Sequence, residues 1–241
     1  MSSHSKQTGF TLIELAMVLF ILTLLLAGFL RPLAERVRQD EINRTEAQME
    51  QIREVIYGYA VKEGRLPCPD CRSDSEGTCT SAEVGDGIED PSVPGAACKS
   101  DVGNLPWQTL GVEERDVWSN LFTYRVTGDF ADSTDGTGCA GTATINVSFS
   151  LCSVGDITVL DSDGGSNIAT GVPAIVVSHG SNWTEVPSSH EAENYDNGTD
   201  TDREFVDKDF SEDELLKFDD ILIWISPHIL VNRMVISGKL P

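Results

Sequence analysis

The segment that decides the fold is Phe10–Leu30, FTLIELAMVLFILTLLLAGFL, an apolar run of 21 residues near the start of the chain. As a helix that rises about 1.5 Å per residue, this run spans roughly 30 Å, the thickness of the hydrocarbon core of a bilayer. It contains one charged residue, Glu14, and a carboxylate inside hydrocarbon is energetically costly. The segment therefore predicts a transmembrane helix whose single acidic residue has a specific role.

Two general classes of apolar N-terminal segment fit this run poorly. It is too long for the apolar region of a secretory signal peptide, which has roughly 7–15 residues. It is followed by Arg31-Pro32 and not by a cleavage site of small residues. A simple membrane anchor would leave Gly9 before the run and Glu14 within it unexplained. The short polar leader and the start of the run therefore need to be read together.

Residues 6–14, KQTGFTLIE, resemble the cleavage and methylation motif of type IV pilins and type II secretion pseudopilins. The likeness lies in a leader with a lysine, a glycine at the cut, a phenylalanine that starts the mature chain, and a glutamate at its fifth position. The resemblance implies that prepilin peptidase cuts between Gly9 and Phe10 and methylates the new amine. It also implies that Glu14 pairs with the Phe10 amine of a neighbouring subunit, which would relieve the cost of a carboxylate in lipid.

The resemblance divides the chain into a prepilin leader at 1–9, a transmembrane and amphipathic stalk helix at 10–62, and an acidic, cysteine-containing globular head at 63–241. It implies a single-pass protein of the bacterial inner membrane with its head in the periplasm, which then enters a periplasmic or cell-surface filament. The implied partners are other pilin or pseudopilin subunits, prepilin peptidase, the inner-membrane assembly platform and membrane lipid.

One charge pattern opposes this topology. Arg31, Arg36 and Arg38 follow the apolar run, and basic residues beside a span favour the cytoplasmic side. Six cysteines in the head favour an oxidising compartment instead. We give the cysteines and the leader motif more weight, and we expect a periplasmic head.

The helix is predicted to continue beyond the span. Gly64 is a candidate C-terminal cap, and Pro67 prevents further helix nearby. Apolar and small residues recur at steps of three to four residues, as in an amphipathic helix. They are Val37, Ile42, Thr45, Met49, Ile52, Val55, Ile56 and Tyr59.

The head carries the negative charge of the protein. The whole chain has 17 basic and 39 acidic residues and a net charge of −22. Residues 31–62 hold equal numbers of the two, so the excess lies in the head. Nucleic acid is therefore a poor partner.

The head is predicted to be rich in β-structure, which makes the chain an α+β protein. We expect a long N-terminal helix packed on an antiparallel β-sheet, as in pilins. A short helix is expected at Glu113–Trp118, a polar surface excursion at 187–215, and a C-terminal helix from Ser226-Pro227 to Gly238. The predicted strands are Leu121–Thr127, Thr142–Leu151, Asp156–Leu160, Ala174–His179 and Asp220–Ser226, with Ile145, Val147, Phe149 and Leu151 on one face of the second.

All six cysteines lie in the head, and their even number predicts a disulfide framework. They are Cys68, Cys71, Cys79, Cys98, Cys139 and Cys152.

The pairing is open at this point, although proximity suggests Cys139–Cys152. Cys68 and Cys71 also form a CxxC pattern, which fits a redox or zinc site less well. It follows a helix in a proline-rich loop, and the spacing of the first four cysteines matches no common zinc ribbon.

Clusters of acidic residues raise the possibility of bound calcium, which prefers oxygen ligands. None completes a calcium-binding loop of the EF-hand type, so a solvated acidic surface is the favoured reading and no cofactor is required. Some pseudopilins bind calcium in a loop of the head, and this resemblance adds weight to the densest cluster. The candidate ligands are Asp196, Asn197, Asp200 and Asp202.

Catalysis is not expected. Ser178-His179-Gly180 places a serine beside a histidine, but adjacency in sequence does not make their side chains face each other. The chain has no G-x-S-x-G motif.

The main hypothesis is a structural subunit, a minor pilin or pseudopilin, of a type IV pilus or a type II secretion filament. The alternative is a filament-tip binding or adhesion module, with calcium-dependent binding as one form of it, and a membrane-anchored enzyme ranks last. A minor subunit is favoured by the bulk of the head and by a weaker similarity to large prepilin-type proteins. That similarity rests on Leu66-Pro67-Cys68-Pro69, Leu105-Pro106-Trp107, Leu110-Gly111, Ser178-His179-Gly180, and the stretch from Asp219-Asp220-Ile221 through Leu240-Pro241.

Overall fold

A computed structural model of the chain describes residues 11–73, 77–91, 96–132, 136, 139, 144, 146–183, 189–195, 203–211 and 217–241, without the side chains of 26–34. The chain divides into two compact units, Met1–Asn43 and Arg44–Pro241.

Helix α1, Leu12–Glu63, contributes to both units. In the Arg44–Pro241 unit it buries Thr45, Met49, Ile52 and Ile56, which recur at steps of three to four residues and therefore share one face. The predicted amphipathic pattern is confirmed over this part of the helix. In the other unit Val37 is exposed.

Helix α1 ends at the predicted glycine. The N–H of Gly64 donates to the carbonyl oxygen of Ala60 at 2.8 Å, and Gly64 has φ of 79°, a left-handed conformation that favours glycine. A Cβ atom at Gly64 would lie 2.1 Å from the carbonyl oxygen of Asn146. Both the backbone conformation and the lack of space therefore require glycine here.

We expect Gly64→Ala to lower the free energy of unfolding by about 2–3 kcal/mol, combining left-handed strain with a steric clash. Gly111→Ala is the matched control, because Gly111 also caps a helix with φ of 68° and a Cβ there meets nothing within 4 Å. Strain alone should cost the control about 1 kcal/mol. Urea denaturation of both variants measures the difference, and equal losses would contradict the role of the Asn146 contact.

The central sheet has four antiparallel strands in the order β1-β2-β5-β7. Tyr124 pairs with Val176, and Val176 pairs with Ile223 across the next strand pair. The strands are β1 Val102–Asn104, β2 Thr123–Val126, β5 Ala174–Ser178 and β7 Ile221–Trp224.

Strand β5 is buried along its whole length, and its side chains contribute to the cores on both faces of this sheet. Ala174 and Val176 join the core that contains the buried face of α1. Ile175 and Val177 join a second core. Because side chains alternate along a strand, the sheet separates the two cores.

A second sheet, of three strands in the order β4-β3-β6, provides the other wall of the second core. Strand β3 pairs antiparallel with β4 and parallel with β6. Its strands are β3 Ile157–Leu160, β4 Asn167–Val172 and β6 Glu204–Val206.

Four shorter helices complete the described elements. The last, α5, begins with Pro227 after Ser226 and ends just before Gly238, which has φ of 73°, as predicted. It buries Leu230 and Met234 in the core shared with α1. The four are α2 Trp107–Leu110, α3 Gly128–Ala131, α4 Ser189–Asn194 and α5 Pro227–Ile236, and a 3₁₀ turn lies at Gly180–Asn182.

The α+β class with an antiparallel sheet is confirmed, but two predicted elements are wrong. Residues 113–118 form no helix, because the Asp116 carboxylate accepts hydrogen bonds from the N–H groups of Trp118 and Asn120 and holds a turn. The described residues within 142–151 form no strand. Asn146 there has φ of 60°, which interrupts an extended backbone, and Leu151 is exposed.

The prediction of a polar surface excursion at 187–215 was also incomplete. Helix α4 and strand β6 both lie within it. Strands β1 and β4 were missed as well.

Candidate functional site

The first turn of α1 is held by a reciprocal pair of hydrogen bonds between Thr11 and Glu14. The N–H of Glu14 donates to the Thr11 hydroxyl at 3.3 Å, and the Thr11 N–H donates to Oε2 of Glu14 at 3.5 Å. This is the capping-box arrangement, which satisfies two N–H groups at a helix start. The T-x-x-E pattern that signals it was visible in the sequence and was not used in the prediction.

The helix beyond this turn presents a continuous apolar surface. Every residue from 11 to 25 is exposed, and contiguous apolar surface of this extent marks a place where a membrane or another protein binds. The exposed large apolar side chains are Leu12, Ile13, Leu15, Met17, Val18, Leu19, Phe20, Ile21, Leu22, Leu24 and Leu25.

Within the described residues, no helix has an apolar segment long enough to cross a membrane. Part of the predicted span Phe10–Leu30 is not described: Phe10 itself and the side chains of residues 26–30 lie outside the described part of the chain.

Two groups of predicted site residues lie outside the described residues. They are the processing pair, Gly9 and Phe10, and the candidate calcium ligands Asp196, Asn197, Asp200 and Asp202.

All six cysteines form disulfides, and Cys139 pairs with Cys152, as their proximity suggests. The other pairs are Cys68–Cys98 and Cys71–Cys79. Cys68 and Cys71 therefore do not bond to each other, and none of the first four cysteines has a free thiolate for zinc. This pairing favours structural disulfides over a CxxC redox bond or a zinc site at these four cysteines.

A largely buried ion pair, Arg65–Glu89, lies beside the end of α1. Glu89 accepts two hydrogen bonds from Arg65, each of 2.8 Å, one from the Tyr59 hydroxyl at 2.6 Å and one from the N–H of Cys68 at 3.1 Å. Burial raises the pKa of Glu89, but the hydrogen bonds and charge of Arg65 outweigh it, so the pKa lies below its usual value. This carboxylate connects α1 to the loop that carries the Cys68–Cys98 disulfide.

Ser178 and His179 do not act on each other. The Ser178 hydroxyl donates to Oδ2 of Asp116 at 2.7 Å, while Nε2 of His179 lies 2.8 Å from the Thr123 hydroxyl. Burial lowers the pKa of His179 to about 3. The two side chains are thus committed to different partners, which is the arrangement of a structural strand end.

A cluster that the sequence prediction missed contains three buried carboxylates. Glu191 from α4 and Asp219 and Asp220, just before β7, offer oxygen atoms that all lie within 4.8 Å of one another. The Asp219-Asp220 pair was visible in the sequence, but its neighbour Glu191 could be found only from the fold.

The first turn of α1 and its exposed apolar surface lie within a segment that matches a known family. Residues 4–30 match the family described as the prokaryotic N-terminal methylation motif. No curated protein and no solved structure gave a significant match to the chain. The chain therefore carries the N-terminal signature of type IV pilins and pseudopilins, the signature of precursors that prepilin peptidase processes.

Proposed function

We propose that this chain is a structural subunit, a minor pilin or pseudopilin, of a type IV pilus or a type II secretion filament. The observation that carries the proposal is the methylation motif at residues 4–30, which includes the exposed apolar surface of residues 12–25. Cleavage would fall between Gly9 and Phe10 and would leave that surface at the start of the mature chain.

The apolar surface would be covered in two successive environments, the inner membrane and the filament. In the inner membrane, lipid would cover it before assembly, and in the filament the equivalent helices of neighbouring subunits would cover it. Either environment removes from water the eleven large apolar side chains that are exposed between Leu12 and Leu25, which is strongly favourable. The assembly platform would move the subunit from one to the other.

Glu14 would have two successive partners. In the isolated chain its carboxylate caps its own helix through Thr11, and in the filament it would accept the charged amine of Phe10 from a neighbour. A cation is a stronger partner than a neutral N–H for a carboxylate in an apolar environment. The exchange would therefore favour the assembled state.

The large acidic unit favours a minor position over a repeating one. Residues 63–241 carry the whole negative excess of the chain, and close repetition of such a surface along a filament would be opposed by charge repulsion.

A structural role is favoured over catalysis, because Ser178 and His179 are engaged with Asp116 and Thr123.

Co-expression with a prepilin peptidase should shorten the chain by nine residues and leave an N-methylated Phe10 at the new terminus. Intact-mass and peptide mass spectrometry measure both changes. Gly9→Leu is the control, since it removes the small residue at the cut and should block processing. An unchanged mass in the unmodified chain would contradict the proposed function.

Glu14→Gln should abolish incorporation into filaments while membrane insertion stays normal. Glutamine can still complete a capping box but carries no charge for the Phe10 amine. Thr11→Val is the matched variant, because it removes the capping hydroxyl and keeps the carboxylate, and it should still be incorporated. Fractionation of sheared filaments measures both, and the opposite ranking would show that Glu14 acts only as a cap.

A further inference from the structure

The outward face of α5 exposes large apolar side chains, although the inner face of the same helix is buried in the core. Ile229, Val235 and Ile236 are 48%, 41% and 81% exposed, whereas Leu230 and Met234 are fully buried. The two isoleucines are seven residues apart, about two helical turns, and therefore lie on one side of the helix. Clustered apolar surface of this kind marks a place where another molecule binds.

This outward face of α5 borders helix α1 through an ion pair and a backbone contact. Arg233 donates two hydrogen bonds of 2.8 Å to Glu54, and Nζ of Lys239 donates to the carbonyl oxygen of Lys62 at 3.1 Å. Arg233 lies four residues after the first exposed isoleucine and three before the second, so both are its neighbours on the helix surface. The apolar face therefore starts at the junction between the two helices.

Gly58 lies on the side of α1 that borders α5. It is four residues from both Glu54 and Lys62, and residues at this spacing share one side of a helix. Gly58 is exposed, and a Cβ atom there would meet nothing within 4 Å. Because glycine is less stable than alanine in a helix interior, contacts within the described part of the chain give no reason for it. A glycine does allow the backbone of another molecule to approach closely.

The outward face of α5 is free of acidic residues in a strongly acidic chain. Residues 221–241 contain no aspartate and no glutamate, while the whole chain has 39 acidic residues and a net charge of −22. Glu54, the carboxylate that joins α1 to this face, is paired with Arg233. Two molecules with such a negative charge repel each other. At this face they can meet without opposing unpaired carboxylates.

We propose that Gly58 and the outward face of α5 bind the same surface of a second copy of this chain. A two-fold symmetric contact uses one surface twice, so α5 of each copy would pack across Gly58 of the other. A positively charged partner would be drawn to the acidic surfaces of residues 63–241, whereas an uncharged face suits a partner of the same negative charge. The contact does not depend on processing at the N-terminus.

The test is sedimentation equilibrium of the purified full chain in density-matched detergent over a series of concentrations. We expect a reversible equilibrium between monomer and dimer. Ile236→Asp places a negative charge on each copy at the contact and should raise the dissociation constant of the dimer about tenfold or more. Val154→Asp is the matched control, because Val154 is 70% exposed in the loop before β3, and it should leave the constant nearly unchanged.

Gly58→Ala separates a contact with a partner from a role within the chain. In dilute solution, where monomer dominates, this change should raise the melting temperature by about 2–4 °C, because alanine favours the helix and its Cβ meets open space. The same change should weaken dimerisation about tenfold, since the Cβ atom occupies space that α5 of the partner needs. A change in stability with no change in dimerisation would contradict the role of Gly58 in the contact.

An Ile236→Cys variant identifies the partner in cells. The native cysteines are all paired in disulfides, so a short bismaleimide crosslinker reacts with the introduced thiol. We expect a covalent product of twice the mass of the chain. A crosslink to a different pilin-like subunit in place of this product would overturn a second copy as the partner.

Two results in solution would also overturn the proposal. One is an unmodified chain that stays monomeric at every concentration. The other is equal dimerisation of Ile236→Asp and Val154→Asp, which would place the contact elsewhere, including the exposed apolar residues 12–25 of α1. Circular dichroism checks that each variant is folded, and Gly58→Ala decides the outcome if Ile236→Asp fails to fold.

Discussion

Glu89→Ala should lower the free energy of unfolding by about 3–5 kcal/mol, because it leaves the buried Arg65 guanidinium without its counter-charge. The side chains of Arg65 and Glu89 are only 9% and 15% exposed, so solvent screens the uncompensated charge weakly. The Tyr59 hydroxyl and the Cys68 N–H lose an acceptor in the same step. Chemical denaturation followed by circular dichroism measures the loss.

The chain contains a matched control for this ion pair. Glu54 accepts two hydrogen bonds of 2.8 Å from Arg233, the same geometry, but these side chains are 51% and 38% exposed. Because solvent screens exposed pairs, Glu54→Ala should cost less than about 1 kcal/mol. Comparable losses in the two variants would show that burial does not determine the strength of the Glu89 contact.

The same carboxylate gives a prediction for pH. The pKa of Glu89 lies below its usual value in the folded chain, so the unfolded state binds more protons as the pH falls. The stabilisation is therefore complete above the unfolded pKa of about 4.5 and is lost as the pH falls through the folded pKa. The stability difference between the unmodified chain and Glu89→Gln should shrink below pH of about 4.5, and a difference that stays constant would contradict this sign.

Removing the Cys68–Cys98 disulfide, by replacing both residues with alanine, should cost about 3–4 kcal/mol. The two cysteines are 30 residues apart, and a crosslink that closes a longer loop restricts the unfolded chain more. Cys68 is fully buried, so its replacement also leaves space in the core. Guanidinium denaturation under non-reducing conditions measures the loss.

The Cys71–Cys79 pair supplies the comparison, since its members are only eight residues apart. The corresponding double alanine variant should lose about 2–3 kcal/mol by the same entropic argument. The order of the two losses is the sharper test, because the absolute values depend on residual structure in the unfolded state. A larger loss for Cys71–Cys79 would contradict the loop-length explanation.

Features set by local sequence were the predictable ones. The spacing of Met49, Ile52 and Ile56 gave the buried face of α1, and Ser226-Pro227 with Gly238 gave the limits of α5. These signals act within one or two helical turns, where propensity and periodicity are reliable. The resemblance of residues 6–14 to the methylation motif was equally local, and the match at residues 4–30 supports it.

Features that depend on distant pairing were not predictable. The parallel partner of β3 lies more than forty residues away in β6, and the sequence of β6 is too short to mark it as a strand. The Arg65–Glu89 pair and the Glu191, Asp219 and Asp220 cluster join segments separated by 24 and 28 residues. Single-sequence patterns contain no information on which charges meet after folding.

The shared core of α1 and α5 also has a consequence for the order of events during synthesis. Leu230 and Met234 pack in the same core as Met49 and Ile56, and the N–H of Ser226 donates to the Tyr57 hydroxyl at 2.9 Å. Contacts of such long separation form late in folding. The ribosome must therefore release nearly the whole chain before this core can close, so a chain interrupted before residue 221 would lack β7 and α5 and would expose apolar surface to proteases.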